Sequence, residues 1–319
     1  MIRLAAVLGP TATGKTKYAI EIAKRADGEI VSCDSMQLYK YMDIGSAKPT
    51  PAELAEVPHH IVGEIDPREP FSAARYKELA TRAIDDVCSR GKLPIMAGGT
   101  GLYFDSVIYD LDFASPPAED SGLRNRLRKI AEDQGPDALY SMLVKEDPAA
   151  AARIHPHNVK RVIRALETAG RGVPISDFSS DPVRSAKYET HILILERDRD
   201  ELYGRIDRRV DEIVKNGLVD EVRGLIDMGL SYDDISMKGI GYKEIIDCLE
   251  GRCSLEEAVD NVKKNTRHYA KRQITWLKRY DDAYRINLTG RADDEIILEI
   301  EEWLKNESLF TIKATSPTT

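Results

Sequence analysis

The segment GPTATGKT, residues 9–16, has the residue types and spacing of a phosphate-binding loop. Gly9, Gly14, Lys15 and Thr16 fit the pattern G-x-x-x-x-G-K-[ST]. The backbone N–H groups of such a loop, with the positive end of the helix that follows, surround an anion. Lys15 adds a point charge, and the Thr16 hydroxyl can ligate a Mg²⁺ ion on the phosphates. The motif predicts a phosphate site without specifying what the phosphate is attached to.

The segments around this loop have the pattern that such a motif requires. An apolar run at residues 4–8 predicts a strand before it, and helical periodicity over 16–26 predicts a helix after it. Further strands are predicted at 29–32 and 93–97, with a second helix over 72–90. Alternating strands and helices indicate a parallel sheet, whose ligands bind beyond the carboxyl ends of the strands. The residues that follow each strand are therefore the candidate site residues.

The order of the predicted elements indicates an interrupted domain. Residues 120–187 have a helical pattern throughout, and strand character returns only at 190–195. We predict an α/β protein with a P-loop NTPase-like parallel sheet core and an all-helical insertion domain. The predicted boundaries are 1–112 for the first part of the core, 113–187 for the insertion, 188–309 for the second part of the core, and 310–319 for a loose tail.

The composition is that of a globular protein in a reducing compartment. Of the 319 residues, 42% are hydrophobic and 31% charged, and no apolar stretch has the length of a membrane span. The phosphate loop interrupts the first apolar run, which predicts a core strand rather than a signal peptide and a cytoplasmic location. The cysteines are dispersed and form no C-x-x-C pair, so we expect free thiols rather than a zinc site or disulfides: Cys33, Cys88, Cys248 and Cys253.

A basic segment near the end of an acidic chain points to a polyanionic partner. The net charge is −8, which by itself argues against nucleic acid, yet residues 261–280 contain no acidic side chain. On a helix, the basic stripe consists of Lys264, Arg267, Lys271 and Lys278. The packing side consists of Val262, Thr266, Tyr269, Trp276 and Tyr280. Polyanion binding is the favoured interpretation and a solvated helix face the alternative. Gln273 lies on the packing side, where its polar group must find a partner or reach into a site.

Asp34 follows the second predicted strand and should lie beside the phosphate loop. A carboxylate there can hold Mg²⁺ through water or act as a general base, and the alternative is a structural turn or N-cap residue. The third predicted strand ends in MAGGT, which offers no acid where NTPases of Walker type usually have one. There is also no [NT]-K-x-D element to bind guanine. Kinase and GTPase functions are therefore disfavoured.

A set of motifs spread over residues 8–279 strongly resembles the bacterial tRNA dimethylallyltransferase family. In chain order they are GPTATGKT, SCDSMQLYKYMDIGSAKP, AGGTGLY, DPAAAARIHPHNVKRVIRALE, RIDRRVDEIVKNGLVDEV, KGIGYKE and RHYAKRQITWLKR. The resemblance implies that the loop holds the diphosphate of dimethylallyl diphosphate. It implies that the acceptor is the exocyclic N6 amine of the adenosine at tRNA position 37, next to the anticodon. Release of diphosphate requires that its charge be stabilised, which lysine, Mg²⁺ and a helix N-terminus can do.

The resemblance also implies roles for individual residues. Asp34 matches the general base that takes a proton from the adenine amine, and Thr100 matches a threonine near the reacting centre. Arg205 matches an arginine that reaches the diphosphate; an ordinary exposed helix arginine is the alternative. The implied diphosphate cradle consists of Gly9, Thr11, Ala12, Thr13, Gly14, Lys15 and Thr16, of which Thr16 is the metal ligand.

The implied RNA-binding residues fall in four segments, and the implied partner is the tRNA anticodon stem-loop. The first two segments are Asp34, Ser35, Met36 and Gln37, and Lys160, Arg161 and Arg164. The other two are Lys238, Gly239, Tyr242 and Lys243, and Lys271, Arg272, Gln273, Trp276 and Lys278. A looped-out base is bound by stacking and edge contacts, and chemistry on it requires that it be extruded. No obligate protein partner is evident, and we expect a monomer.

Three other functions remain as alternatives. An adenylate isopentenyltransferase would use a free nucleotide, for which a basic helical insertion has little purpose. A small-molecule kinase would bind ATP in the same loop. A pure RNA-binding module would leave the loop without a role. His155 and His157 suggest a metal pair, but with no further ligand nearby a loop with an N-cap at Asn158 is the better interpretation.

Overall fold

The computed structural model describes residues 1–109, 111, 121–169 and 183–309. The chain divides into two compact units, a core unit of Met1–Ile108 with Ala186–Thr319 and an insertion unit of Tyr109–Ser185. The predicted loose tail at 310–319 lies outside the described residues. None of the described helices is both long and apolar enough to cross a membrane.

The core unit contains a six-stranded parallel sheet of order β3-β2-β4-β1-β5-β6. The strands are β1 Ile2–Leu8, β2 Gly28–Cys33, β3 His59–His60, β4 Leu93–Gly98, β5 Tyr188–Glu196 and β6 Tyr284–Asn287. Pairs such as Leu8 with Gly98 and Cys33 with Gly98 align the carboxyl ends of the central strands. The predicted parallel sheet and its four central strands are confirmed. The short edge strands β3 and β6 were not predicted.

The helices of the core unit cover this sheet. They are α1 Lys15–Ala26, α2 Pro51–Glu56, α3 Ala73–Ser89 and α4 Gly101–Ile108, followed after the insertion by α9 Arg199–Lys215, α10 Leu218–Asp227, α11 Tyr242–Leu249, α12 Leu255–Leu277 and α13 Asp293–Asn306. Ala5 and Val7 of β1 pack with α1 and with Trp303 of α13 in one buried cluster. Burial on both faces is what a central parallel strand requires. The helices predicted over 16–26 and 72–90 are confirmed within one residue at each end.

The described part of the insertion unit contains four helices. Its helices are α5 Ser121–Gln134, α6 Pro136–Glu146, α7 Pro148–Ala151 and α8 Val159–Ala169. Leu139, Leu143 and Val162 are fully buried in its own hydrophobic cluster. Asn158 precedes α8 and its Oδ1 accepts from Arg161 N at 3.4 Å, in agreement with the predicted N-cap. The described residues include no cluster of His, Cys, Asp and Glu that could hold a metal ion.

The close approach of β2 to the end of β4 makes a glycine necessary at position 98. A Cβ atom added to Gly98 would overlap the backbone of Cys33, which cannot move without disturbing the sheet. Gly204 in α9 differs, because nothing lies within 4 Å of an added Cβ.

We predict that Gly98→Ala lowers the free energy of unfolding by about 3 kcal/mol, whereas Gly204→Ala raises it by about 0.5–1 kcal/mol through helix propensity. Both tryptophans, Trp276 and Trp303, lie in the core unit, so urea unfolding followed by tryptophan fluorescence reports that unit. Equal effects of the two substitutions would contradict this account of β2 and β4.

Candidate active site

The phosphate loop connects β1 to α1 at the carboxyl edge of the sheet. Ala12 and Gly14 adopt positive φ angles of 65° and 102°, and α1 begins at Lys15. A Cβ atom at Gly9 would lie 2.6 Å from the carbonyl oxygen of Leu195, so the loop passes too close to β5 for any side chain there. The structure therefore brings the predicted cradle residues together at a helix N-terminus, where backbone N–H groups attract an anion.

Side chains from α9, α12 and the end of β5 hold this loop in place. Gln273 Oε1 accepts from Thr11 N at 2.9 Å, and Arg205 Nε donates to the Ala12 carbonyl at 2.8 Å. Arg197 Nε donates to the Thr13 carbonyl at 3.2 Å. The structure thus places Arg205, a predicted diphosphate ligand, on the backbone of the loop. Gln273, predicted to contact RNA, is buried and supports the same loop.

Lys15 is the cation at the centre of the loop. Its Nζ donates to the Pro10 carbonyl at 2.7 Å and lies beneath the loop. Burial is the largest cause that lowers the pKa of Lys15 to about 8; Asp34 opposes this shift and Arg209 adds to it. A bound anion would reverse this trend, because it favours the charged ammonium. The loop is therefore prepared for an anionic ligand.

Asp34 is the turn residue that its sequence position allowed, and its position leaves the role of general base open. Its Oδ1 accepts from Met36 N at 2.8 Å and from Gln37 N at 3.3 Å, which fixes the turn after β2. Its Oδ2 makes no hydrogen bond to any residue in the described part of the chain. The side chain lines two adjoining cavities. Asp34 is thus a turn residue that keeps one carboxylate oxygen for a ligand.

Thr100 positions the residues around Asp34. Its Oγ1 accepts from Ser35 N at 3.0 Å, and its own N–H donates to the Cys33 carbonyl at 3.1 Å. Gln273 Nε2 donates to the Gly99 carbonyl at 2.8 Å, so the glycine-rich loop after β4 is fixed from α12 as well. Trp276 packs directly on Gly101 of this loop.

Two cavities meet at the carboxyl edge of the sheet. The smaller, of about 110 Å³, contains the loop residues Gly14, Lys15 and Thr16. The larger, of about 410 Å³, extends past Met36 toward α11 and α12. Residues that line both are Thr11, Ala12, Asp34, Arg209 and Tyr269. A ligand in one cavity can therefore meet a ligand in the other beside Asp34.

Arg209 and Tyr269 are site residues that the sequence analysis missed. Arg209 follows Arg205 by one helical turn on α9, a spacing that could have suggested that both face the loop. Burial lowers the pKa of Arg209, while Asp34 opposes that shift. Tyr269 was assigned to packing, because an aromatic residue on a buried helix face carries no signal that distinguishes a core position from a cavity wall.

The larger cavity is bounded by several of the predicted RNA-binding residues. Met36 packs against Gly239, where an added Cβ would overlap its side chain. The predicted residues that line this cavity are Asp34, Ser35, Met36, Lys238, Gly239, Lys243 and Arg272. Tyr242 does not line it: the side chain is fully buried, and its hydroxyl donates to Glu221 Oε1 at 2.8 Å. Gln37 lines the smaller cavity.

Glu221 was also missed, and it fixes the loop that carries residues 43–45. Its carboxylate accepts from the backbone N–H groups of Asp43, Ile44 and Gly45 at 2.8, 2.7 and 2.9 Å. Gly45 and its neighbour Ser46 line the larger cavity. A single carboxylate on α10 therefore determines the shape of one cavity wall.

The basic stripe is only partly free of acidic partners. Lys264 and Lys271 are exposed and form no ion pair with any described residue, but Arg267 pairs with Asp207 of α9. The helix also ends at Leu277. Tyr280 lies beyond it, and its buried hydroxyl donates a hydrogen bond to Asp105 Oδ1. The prediction that one helix spans residues 261–280 was therefore wrong for residues 278–280. Three members of the stripe, Lys264, Arg267 and Lys271, line a groove of about 590 Å³. Arg197 and Arg199 line the same groove.

In the insertion unit, the predicted basic residues lie on α8. Lys160 and Arg161 are exposed, whereas Arg164 lies 3.7 Å from Glu167. Glu167 is itself held by Arg124 through two hydrogen bonds of 2.6 and 2.9 Å. Lys160 and Arg161 are thus the two that are exposed without an ion pair to any described residue, whereas Arg164 is partly exposed beside Glu167.

Sequence and structure comparisons agree on one family. Residues 37–280 match the sequence model of the family described as IPP transferase. The tRNA dimethylallyltransferase of Acetivibrio thermocellus is 48% identical over 307 residues, covering 95% of this chain and 98% of the relative. That of Clostridioides difficile is 45% identical over 309 residues, covering 95% and 99%.

Solved structures of similar proteins share the fold. The full-length tRNA isopentenylpyrophosphate transferase of Bacillus halodurans superposes with a TM-score of 0.73 at 42% identity, covering 97% of this chain and 98% of that one. A eukaryotic dimethylallyltransferase acting on tRNA gives a TM-score of 0.79 at 28% identity, covering 99% and 82%.

The lowered pKa of Lys15 predicts how anion binding depends on pH. Below pH 8 the lysine is protonated, and above it binding must first restore the proton. The affinity for inorganic diphosphate should fall above pH 8, by at most about tenfold per pH unit. Titration calorimetry between pH 7 and 10 measures it. Lys15→Arg, which stays charged, is the control for ionisation of the ligand: the same pH dependence in both proteins would contradict the role of Lys15.

Proposed function

The chain belongs to the IPP transferase family, and we propose that it transfers a dimethylallyl group from dimethylallyl diphosphate to the N6 amine of adenosine 37 of tRNA, releasing diphosphate. The observation that carries this proposal is that Asp34 lies where the phosphate-loop cavity meets a larger cavity bounded by basic side chains. A prenyl diphosphate in the first and a nucleobase in the second would react beside that carboxylate.

The prenyl donor binds with its diphosphate in the phosphate loop. Lys15, Arg209 and the N-terminus of α1 stabilise the charge that develops on the leaving group. No γ-phosphate is cleaved, so the reaction does not need the acidic residue that β4 lacks at its end. The one hydroxyl of Thr16, which lines the smaller cavity, together with the diphosphate oxygens fits Mg²⁺, because this ion keeps several waters and binds few protein groups. A Mg²⁺ ion held by Thr16 and the diphosphate would neutralise part of the leaving-group charge.

The adenine occupies the larger cavity after it has been extruded from the RNA. Its amine attacks the first carbon of the prenyl group, and the carbon–oxygen bond to diphosphate breaks as the carbon–nitrogen bond forms. Asp34 Oδ2 accepts the proton that the amine loses. Thr100 acts as a positioning residue, because its hydrogen bond to Ser35 N supports the turn that contains Asp34.

The RNA is held by local basic surfaces despite the net charge of −8. In the core unit these are the exposed members of the basic stripe with Lys238 and Lys243, and in the insertion unit Lys160 and Arg161. Phosphate contacts of this kind supply affinity and orientation. We assign the activity to the cytoplasm, where tRNA is the available partner.

The direct test is incubation with unmodified tRNA and radiolabelled dimethylallyl diphosphate, followed by nucleoside analysis. The expected product is dimethylallyladenosine at position 37. Parallel reactions with adenosine monophosphate as acceptor, and with ATP in place of the prenyl donor, test the adenylate isopentenyltransferase and the kinase. Prenylation of the free nucleotide but not of tRNA would refute the proposal.

We predict that Asp34→Asn lowers turnover by about a hundredfold or more, the range expected for a lost general base. The asparagine keeps an oxygen that can accept from Met36 N and Gln37 N, so stability and tRNA affinity should remain near those of the original protein. Single-turnover kinetics and tRNA binding measure the two effects. Near-normal turnover in Asp34→Asn would remove Asp34 from the proton transfer.

We predict that Lys264→Glu combined with Lys271→Glu weakens tRNA binding and flattens its salt dependence. Each lost phosphate contact should lower the slope of log affinity against log salt by roughly 0.7 to 0.9. Arg267 is left unchanged because a glutamate at that position would lie beside its present partner Asp207, and the two carboxylates would repel each other. Fluorescence anisotropy with labelled tRNA measures affinity and slope.

The matched control is Arg82→Glu combined with Lys215→Glu, which changes the net charge equally. Both residues are exposed, form no ion pair with any described residue and line none of the cavities or the groove described above. The control pair should leave the salt slope unchanged. Equal slopes in both double variants would show that the stripe is a solvated helix face.

A further inference from the structure

The smaller cavity contains two buried polar atoms that the proposed reaction does not use. Ser32 and His59 both line this cavity, and their atoms Ser32 Oγ and His59 Nε2 are buried with no hydrogen-bond partner among the described residues. The Ser32 side chain belongs to a residue that is only 3% exposed. A buried polar atom without a partner carries a desolvation cost, so such an atom in a cavity indicates a ligand.

The two atoms have complementary hydrogen-bonding roles. His59 Nδ1 lies 2.9 Å from the Val57 carbonyl, which can only accept, so Nδ1 carries the proton and Nε2 is an acceptor. Burial lowers the pKa of His59, which keeps the ring neutral. The Ser32 hydroxyl can donate. One hydroxyl group placed between them would satisfy both, donating its proton to His59 and accepting from Ser32.

These atoms lie within reach of the tail of the prenyl donor. Ile30 and Ser32 alternate on one face of β2, Asp34 follows directly after the strand, and all three line the cavity. Two residues of a strand span about 6.6 Å, so Ser32 is one such step behind Asp34. A five-carbon chain whose reactive carbon meets the adenine at Asp34 is long enough to extend to that depth.

The walls at this depth suit a short branched chain with one polar end. The apolar side chains that line the cavity are Ala19, Ile30, Val62 and Ala97. A purely apolar tail would fill the space between them but would leave Ser32 and His59 without a partner from the substrate. A tail with a terminal hydroxyl would satisfy both.

We propose that Ser32 and His59 form a tail subsite, and that the protein also uses allylic diphosphates that carry a hydroxyl on a terminal carbon of the tail. This inference rests on the proposed function. The chemistry is unchanged: the carbon–oxygen bond to diphosphate breaks, the bond to adenine N6 forms, and the amine proton passes to Asp34. The hydroxyl is neither formed nor consumed, so no oxidant is needed.

The test compares kcat/KM for dimethylallyl diphosphate and for the two geometric isomers of its terminally hydroxylated form, with the full chain and unmodified tRNA. The kcat/KM for one hydroxylated isomer should at least equal that for dimethylallyl diphosphate. It should exceed that for the other isomer by about tenfold, because the subsite has a fixed position. Ser32→Ala and His59→Asn should each lower the ratio of hydroxylated to plain donor by about three- to tenfold. The asparagine amide can still donate to the Val57 carbonyl, so that substitution removes only the Nε2 acceptor.

Val62→Ala is the control, since it changes the size of the same cavity without its polarity and should affect both donors alike. If the dimethylallyl group is transferred but both hydroxylated isomers react more than about a hundredfold more slowly, the subsite is overturned while the proposed function stands. A donor ratio that Ser32→Ala and His59→Asn leave unchanged would also overturn it. If no donor reacts with tRNA, the proposed function fails and the subsite with it.

Discussion

The two hydrogen bonds of Gln273 connect the parts on which the site depends. Its oxygen accepts from the phosphate loop at Thr11, and its nitrogen donates to the loop after β4 at Gly99. The side chain is buried, so loss of either bond would leave a polar group unsatisfied, at a cost of about 1–3 kcal/mol. The same helix carries Arg272, which lines the larger cavity, and Lys271, which lines the groove. One helix thus supports the phosphate loop and also presents basic side chains at the surface.

A second constraint is the balance of charges at the carboxyl edge of the sheet. Lys15 and Arg209 are two cations brought together with one carboxylate, Asp34, in a small cavity. Burial lowers the pKa of both cations, so the arrangement is improved by an additional anion. In the proposed reaction a diphosphate supplies it, and the departing group would remain bound to the same cations as its charge increases.

The sequence was sufficient for features that depend on local patterns. The phosphate loop, the central strands and the place of Asp34 at a strand end follow from motif and periodicity. The edge strands did not, because β3 has two residues and β6 four, too few for a periodic signal. Side-chain partners were equally inaccessible: Asp207 meets Arg267, and Arg205 meets Ala12, across long stretches of chain. The burial of Tyr242 in the KGIGYKE motif could not be predicted either, because its partner Glu221 belongs to another helix.

In the proposed function, the phosphate loop serves a prenyl donor that loses diphosphate, not a nucleotide that loses its γ-phosphate. Phosphorus-31 NMR of one reaction containing the enzyme, unmodified tRNA, dimethylallyl diphosphate and ATP tests this directly. We expect diphosphate to accumulate in proportion to the prenyl groups transferred to tRNA while the ATP signals stay constant. Loss of ATP with the appearance of ADP, without diphosphate from the prenyl donor, would contradict it.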